Sequence, residues 1–284
     1  STWWDEQEGD ADTDADTDTH TDADTDADTD ADTDADADPG WSMVALTDKA
    51  ACAFDDLGDI ACWGDPSGGL TSPPSFYTYR DLSMGLLNGC GIDDESSLHC
   101  WGDDSYGGVS GAPTGSVVDV STGWRHICAI EGSGSSGPVT CWGDDWGMTE
   151  SVLEVPGGNF QQISSGMHFA CGVTASGGDV ECWGQLTQRP DSLPSSGYSA
   201  VTAGDRFACA VHGSEGIVCW GSSHSFMDTP ISGDFVDIGC GSSHCCAVTN
   251  LGDLQCWGSS TSDIYGATDV PSWALYGAES VACG

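Results

Sequence analysis

Twelve of the 15 cysteines in this 284-residue chain fall into six pairs spaced 10 to 13 residues apart, and the second of each pair opens a Cys-Trp-Gly triplet. Cysteines at such spacing do one of two kinds of chemistry: they oxidise to a disulfide or they hold a metal. Zinc fits poorly, because no Cys-x-x-Cys occurs anywhere in the chain and structural zinc sites are built from such closely spaced pairs. Disulfides fit well if each pair spans a β-hairpin.

The hairpin is legible in the residues between the cysteines. In the last one, Cys246-Ala247-Val248 reads as one strand, Leu251-Gly252-Asp253 as the turn and Leu254-Gln255-Cys256-Trp257-Gly258 as the second strand. The unit recurs at Cys52–Gly64, Cys90–Gly102, Cys128–Gly143, Cys171–Gly184 and Cys209–Gly221. A register symmetric about the turn puts the two sulfurs on neighbouring strands, where cross-strand Cβ atoms lie about 4.5–5.5 Å apart, within reach of a disulfide. The predicted bonds are Cys52–Cys62, Cys90–Cys100, Cys128–Cys141, Cys171–Cys182, Cys209–Cys219 and Cys246–Cys256. Each closes a short loop and contributes up to about 3 kcal/mol through the unfolded chain. Three cysteines remain. Cys240 and Cys283 each precede the glycine of a repeat, at the same position in successive units, so they are expected to bond to each other. Cys245 is then left over, either free and buried or exchanging with Cys246 as the partner of Cys256. Each Trp follows a Cys, so its indole points to the opposite face of the strand, and it is expected to pack between neighbouring units.

The six Trp of the triplets, Trp63, Trp101, Trp142, Trp183, Trp220 and Trp257, are 38, 41, 41, 37 and 37 residues apart. A fixed period near 40 with strand-like content is the sign of a propeller. Ahead of each hairpin lies a further short strand, as in Phe160–Gly166 and Phe235–Gly241, usually ending in a Gly five residues before the first hairpin Cys. The final segment, Ala278–Gly284, repeats that strand, so seven such strands accompany six hairpins. In a six-bladed ring the first and last would compete for one slot. The expected fold is therefore all-β: a propeller of six blades, or seven if the last segment begins another, built from ~40-residue repeats over residues 41–284. The spare strand, added to a neighbouring molecule, would link subunits.

The order Gly-x-x-His-x-Cys-Ala, then Gly, then Cys-Trp-Gly resembles the regulator of chromosome condensation repeat. Gly123, His126, Ala129 and Gly143 carry it, as do Gly241, His244, Ala247 and Gly258. The resemblance, to a secreted, cysteine-rich bacterial type within that family, covers residues 41–284 and implies a β-propeller that acts mainly as a binding scaffold. The founding member catalyses nucleotide exchange on a small GTPase and binds chromatin. A bacterial relative inhibits a β-lactamase by laying one propeller face over it. The hairpin cysteines and the charge of this chain depart from the family: they argue against a nuclear home and against chromatin docking.

The formal net charge is −41, with five Lys and Arg against 46 Asp and Glu. Such a chain repels phosphate backbones and anionic membrane surfaces, so neither nucleic acid nor membrane insertion is expected. No apolar run approaches the length of a membrane span. So many regularly placed cysteines point to an oxidising compartment, and the chain is expected to be secreted or held at a cell surface, its Ser1-Thr2-Trp3-Trp4 start reading as a mature terminus.

Residues 1–9 form an aromatic N-terminal peptide and residues 10–40 an Asp/Thr/Ala-rich linker. Residues 10–38 alternate Asp with Ala or Thr and carry 14 Asp. With no apolar face and strong self-repulsion, this acidic stretch is expected to be an extended spacer. Its threonines, Thr13, Thr17, Thr19, Thr21, Thr25, Thr29 and Thr33, are candidates for O-linked glycans. Its carboxylates would bind Ca²⁺ weakly and diffusely at most, since no Gly bends a compact calcium loop; no other cofactor and no metal site is expected. Trp3 and Trp4 are candidate assembly residues, paired aromatics on a tether.

No Ser/His/Asp constellation is evident, and the chain is expected not to be an enzyme. His126 and His244 read as packing residues of the repeat, and His20, His99, His212 and His224 as isolated. Asp103-Asp104 and Asp144-Asp145 read as solvated turns. If one rim binds a partner, Tyr106, Trp146, Phe226 and Tyr265 are its natural anchors. The function expected is a non-catalytic protein-binding propeller on an acidic spacer. The alternative is a subunit of an extracellular filament or coat, assembled through its N-terminal segment and glycosylated on the linker.

Overall fold

In a computed structural model the chain is described over residues 41–185, 194–221, 231–258 and 280–283. The tail with Trp3, Trp4 and the linker threonines, and His20, His224, Phe226 and Tyr265, lie outside these residues. Six three-stranded antiparallel sheets follow one another along the chain. Blade 1 comprises β1 (Trp41–Leu46), β2 (Ala50–Asp55) and β3 (Ile60–Gly64); blade 2, β4 (Tyr79–Met84), β5 (Asn88–Asp93) and β6 (Leu98–Gly102). Blade 3 comprises β7 (Val117–Thr122), β8 (His126–Glu131) and β9 (Val139–Gly143); blade 4, β10 (Phe160–Ser165), β11 (Phe169–Thr174) and β12 (Val180–Gly184). Blade 5 comprises β13 (Tyr198–Ala203), β14 (Phe207–His212) and β15 (Gly216–Gly221); blade 6, β16 (Phe235–Cys240), β17 (His244–Thr249) and β18 (Leu254–Gly258). The fold is the expected β-propeller. Among the described residues no helix is long and apolar enough to cross a membrane.

In every hairpin the two cysteines oppose each other in register. They are bonded, with Cα atoms 4.0–4.1 Å apart. The strand period of two then separates disulfide from indole. Blades 2 to 6 each pack the Trp face against the disulfide face of the blade before. Trp142, Val120 and Ile127 of blade 3 pack with Cys90, Cys100 and Ile92 of blade 2; Trp220, Val201 and Ala208 of blade 5 pack with Cys171, Cys182 and Val173 of blade 4. Five such cores join the six blades. The indole N–H of Trp101 and of Trp142 donates to the Leu70 and Gly108 carbonyls, each 2.8 Å away in the segment that follows the preceding blade.

The repeat glycine has a steric cause. A Cβ on Gly123, Gly166 or Gly204 would run into the ring three residues on, that of His126, Phe169 or Phe207, and into the carbonyl of the next repeat glycine. Phe169 and Phe207 fill the position of His126 with no polar atom at all, so the position is a packing one. His126 is fully buried with neither ring nitrogen hydrogen-bonded. Burial, with His168 nearby, lowers its pKa to about 4, so it is neutral.

Two expectations about the C-terminal cysteines are corrected. Cys240 bonds Cys245, not Cys283, and Cys283 is a free thiol that burial pushes up to about 11. Cys240 and Cys245 are direct cross-strand partners on β16 and β17, 4.1 Å apart at Cα. Equivalence along the repeat places Cys283 one blade position further on, where no ladder joins it to β16. The first and last inner segments do not compete for one slot either. Residues 280–283 take a seventh inner position beside β16, with the Val281 N–H donating to Asp237 Oδ2 at 2.8 Å. The same bond joins Ile163 to Asp119 between blades 3 and 4, also at 2.8 Å. β1, β4, β7, β10, β13, β16 and residues 281–283 together line a central channel of about 270 Å³.

Candidate functional site

The loops at one end of the blades bring together side chains that lie far apart in sequence. The residue just before the repeat aromatic or its equivalent is Lys49 in blade 1, Arg125 in blade 3, His168 in blade 4 and Arg206 in blade 5. Its carbonyl accepts from the residue that follows the outer strand: Asp65 N–H to Lys49, Asp144 N–H to Arg125 and Gln185 N–H to His168, all at 2.9 Å. The position therefore recurs at the same end of blades 1, 3 and 4. In a chain with five Lys and Arg, three stand here.

Arg125 organises the cluster. Its guanidinium lies 3.4 Å from the centre of the Trp146 ring and 4.3 Å from that of Tyr106. Cation–π attraction favours this arrangement. The Asp144 carboxylate is 3.6 Å from Nη1. Trp146 meets the His168 ring edge to face at 5.0 Å, and Trp124 lies 6.3 Å from His168 and 6.5 Å from Trp146. Burial, then Arg206 and Arg125, depresses the His168 pKa, so this ring is neutral at pH 7 and serves as an aromatic surface.

Trp146 is held in the left-handed region at φ 62°. That backbone is strained for a bulky residue, and such strain concentrates at functional sites. The two aspartates read from sequence as solvated turns do the holding. Asp144 Oδ1 accepts the Trp146 N–H at 3.0 Å, Asp145 Oδ1 accepts the Gly147 N–H at 2.9 Å and Asp145 Oδ2 accepts the Ser151 hydroxyl at 2.6 Å. The Ser151 and Gly147 bonds keep the Asp145 carboxyl below its ordinary pKa. Asp104 Oδ1 likewise accepts from Val109 and Ser110, ordering the loop that carries Tyr106.

Of the anchors read from sequence, Tyr106 and Trp146 converge here. Trp124, Arg125, His168 and Arg206 are not singled out by the sequence reading, in which the two residues after the repeat Gly are mere spacing. Their signal was available: most of the chain's scarce cations share one repeat position. His99 sits elsewhere, 2.8 Å from Asp93 and stacked on Tyr77, and His212 bonds the Ser196 carbonyl. A sulfur cluster also forms between blades 5 and 6, where Cys209 Sγ is 3.9 Å from Cys245 Sγ. Cys209, Cys240 and Cys245 are all disulfide-bonded, which leaves no thiolate there to bind a metal.

The model of the Regulator of chromosome condensation (RCC1) repeat matches residues 235–263. Among solved structures, the CRINKLY WD40 ectodomain of the Arabidopsis thaliana receptor kinase ACR4 is similar, with TM-score 0.62 and 26% identity over 77% of this chain and 79% of that one. Yeast RCC1 (Prp20), solved with Kap60, has TM-score 0.59 and 13% identity, over 77% and 70%. Human WBSCR16 has TM-score 0.62 and 17% identity, over 78% and 77%. No curated protein matches the chain in sequence.

Proposed function

Starting from a chain that is a β-propeller of RCC1-like repeats, we propose that it is an extracellular, non-catalytic protein-binding module, carried on the acidic spacer of residues 10–40. The observation that carries this reading is the rim cluster in which strained Trp146 and Tyr106 enclose Arg125. Trp, Tyr and Arg are the residue types that dominate binding energy at interfaces, and here they are pre-positioned, which lowers the ordering cost of binding. The disulfides suit an oxidising compartment, and the likeness to a receptor-kinase ectodomain supports display outside the cell. Fold alone does not assign a function.

The test compares the oxidised full-length chain with its Arg125→Ala/Trp146→Gly variant, immobilised and exposed to extracellular proteins of the source cells. Glycine relieves the left-handed backbone, so the variant is expected to melt as the parent does. Proteins retained by the parent should be lost at least about 30-fold in the variant, the weight of one or two hot-spot side chains. Equal retention by both, or none by the parent, overturns the reading.

The second reading is a filament or coat subunit assembled through its N-terminal segment and O-glycosylated at Thr13 to Thr33; what supports it is the recurrence of seven threonines in an acidic stretch with no apolar face. Intact mass above 29.3 kDa in hexose multiples, localised to residues 10–38, is the outcome expected for the glycans. A mass equal to that of the sequence overturns that part.

A further inference from the structure

Blade 6 carries a second disulfide, Cys240–Cys245, that blades 1 to 5 lack. Cys245 stands where those blades have Ala51, Gly89, Ile127, Ala170 and Ala208, directly before the first hairpin Cys. It lies opposite Trp257 in the β17–β18 register, so its sulfur shares the face that packs on the Cys209–Cys219 bond of blade 5. Two disulfides therefore meet across one joint. Cys245 Sγ is 3.9 Å from Cys209 Sγ, and the sulfurs of Cys209, Cys240 and Cys245 all lie within 4.8 Å of one another. Cys209 and Cys245 are 0% exposed and Cys240 8%, whereas Cys219 is only partly buried. Stapling does not account for the extra bond. It spans five residues, against 10 to 13 for the hairpin bonds, and the chain-entropy gain shrinks with the loop.

We propose that Cys209, Cys219, Cys240 and Cys245 form a thiol–disulfide exchange site, which moves a bond from within blades 5 and 6 to between them. The co-reactant is a small dithiol. Its thiolate attacks Cys240 Sγ, which lines the central channel; the Cys240–Cys245 bond breaks and Cys245 leaves as a thiolate. Cys245 Sγ then attacks Cys209 Sγ, closing a gap of 3.9 Å to the about 2.05 Å of a disulfide. The Cys209–Cys219 bond breaks, and Cys219 leaves and takes a proton from water. Cys219 suits this role because burial raises a thiol pKa and a sulfur of lower pKa leaves faster. The second thiol of the dithiol displaces Cys240, which also ends as a thiol. One dithiol becomes a disulfide, two protein disulfides become one, and Cys219 and Cys240 carry the two hydrogens that the dithiol gave up. In the oxidised chain apolar packing and the Cys240 N–H on Thr202 Oγ1, at 3.0 Å, hold this joint. The Cys209–Cys245 bond makes it covalent, a locked form that the joints between blades 1 and 5 cannot reach.

The test first removes the need for a reductant. In the oxidised full-length Cys240→Ser variant, Cys245 starts as a thiol beside Cys209–Cys219. The sample is quenched in acid, alkylated with N-ethylmaleimide and digested, and its cysteines are mapped by mass spectrometry. Cys209 should be joined to Cys245, and Cys219 should carry at least about tenfold more label than Cys245. Label on Cys245 with Cys209–Cys219 intact overturns the proposal. Label on Cys246 does so too, since it means exchange within blade 6. The wild type decides should that variant not fold. With one equivalent of dithiothreitol per chain, Cys219 and Cys240 should gain label together and equally, with Cys283, free in every sample, as the internal standard. Label on Cys240 and Cys245 as a pair, or spread evenly over the hairpin cysteines, overturns it.

Discussion

The joints between blades 2 and 6 and the seam beside blade 1 are built from the same repeat but held differently. At each interior joint a hydroxyl on one inner strand accepts a backbone N–H of the next. Thr122 donates to Ser83 Oγ at 2.9 Å, Ser165 to Ser121 Oγ at 2.8 Å, Ala203 to Ser164 Oγ at 2.9 Å and Cys240 to Thr202 Oγ1 at 3.0 Å. The same position is Ala45 in blade 1 and Gly239 in blade 6, the two blades that flank the seventh position. Apolar burial follows suit, with Trp101, Trp142, Trp183 and Trp220 buried, Trp257 partly buried and Trp63 exposed. The difference teaches that blades 2 to 6 are each covered by the blade before, and that the hydroxyl clasp is missing at the joints leading out of blades 1 and 6.

The sharpest way to break this comparison is to truncate one Trp on each side of it. Trp142→Ala should cost about 3–5 kcal/mol, the range for emptying a buried aromatic site. Trp63→Ala should cost less than about 1 kcal/mol, as for a surface change. Urea unfolding of the dilute, oxidised monomer reads both. Equal losses would mean that the seam is covered in solution and that blade 1 is an ordinary member of the ring.

Acid provides the next contrast. His126 lies in the interior, and the equivalent residue in blade 1 is Ala50, which does not titrate. Folded His126 takes up a proton only near pH 4, whereas the unfolded chain does so near 6.5. The unfolded state therefore binds more protons between these values, and stability falls as pH drops from about 6.5 to about 4, by roughly 3 kcal/mol in all. Asp81 and Asp119 slope the other way. Burial, and for Asp119 the neighbouring Asp81 carboxylate, holds their pKa values above the ordinary range, so their contribution weakens as pH rises. His126→Phe isolates the histidine. Phe is already accommodated at positions 169 and 207, so the variant should match or exceed the parent at pH 7. The difference in unfolding free energy between the two should widen on acidification; a gap independent of pH from 7 to 4 would remove His126 from the account.

The ring was legible in the sequence because its signals are local. Cys and Trp alternate along one strand, and the strand period alone assigns them to opposite faces. Cys240–Cys245 was not legible, because the repeat alignment makes Cys283 the equivalent of Cys240. Only the β16–β17 register shows that Cys245 lies opposite. The rim cluster was half legible. Tyr106 and Trp146 stood out as loop aromatics, but Arg125 reaches them through a carbonyl bond that fixes where the outer strand ends, and that is a tertiary fact. The bare face of blade 1 was foreshadowed by the seventh inner segment, yet neither Val44 nor Trp63 differs in type from its buried counterparts. Their exposure comes from what is next to them.

The smallest expected effects test whether the clasps matter to the contrast at all. Ser121→Ala leaves the Ser165 N–H without its acceptor in a partly buried wall, which costs about 1–2 kcal/mol. The channel is wide enough to admit water, and a water bonded to that N–H would bring the loss toward the lower figure. Ala45→Ser runs the experiment in reverse. It gives blade 1 the hydroxyl that blades 2 to 4 already use, with the Met84 N–H of the next inner strand as its counterpart, and should stabilise by up to about 1 kcal/mol. Chemical unfolding resolves the pair if both are measured against the same parent at pH 7. A loss at Ser121 with a gain at Ala45 ties the clasp to the joint itself. A loss at Ser121 with no gain at Ala45 would place blade 1 too far from blade 2 for the bond, and the contrast would then be one of spacing between blades rather than of side-chain chemistry.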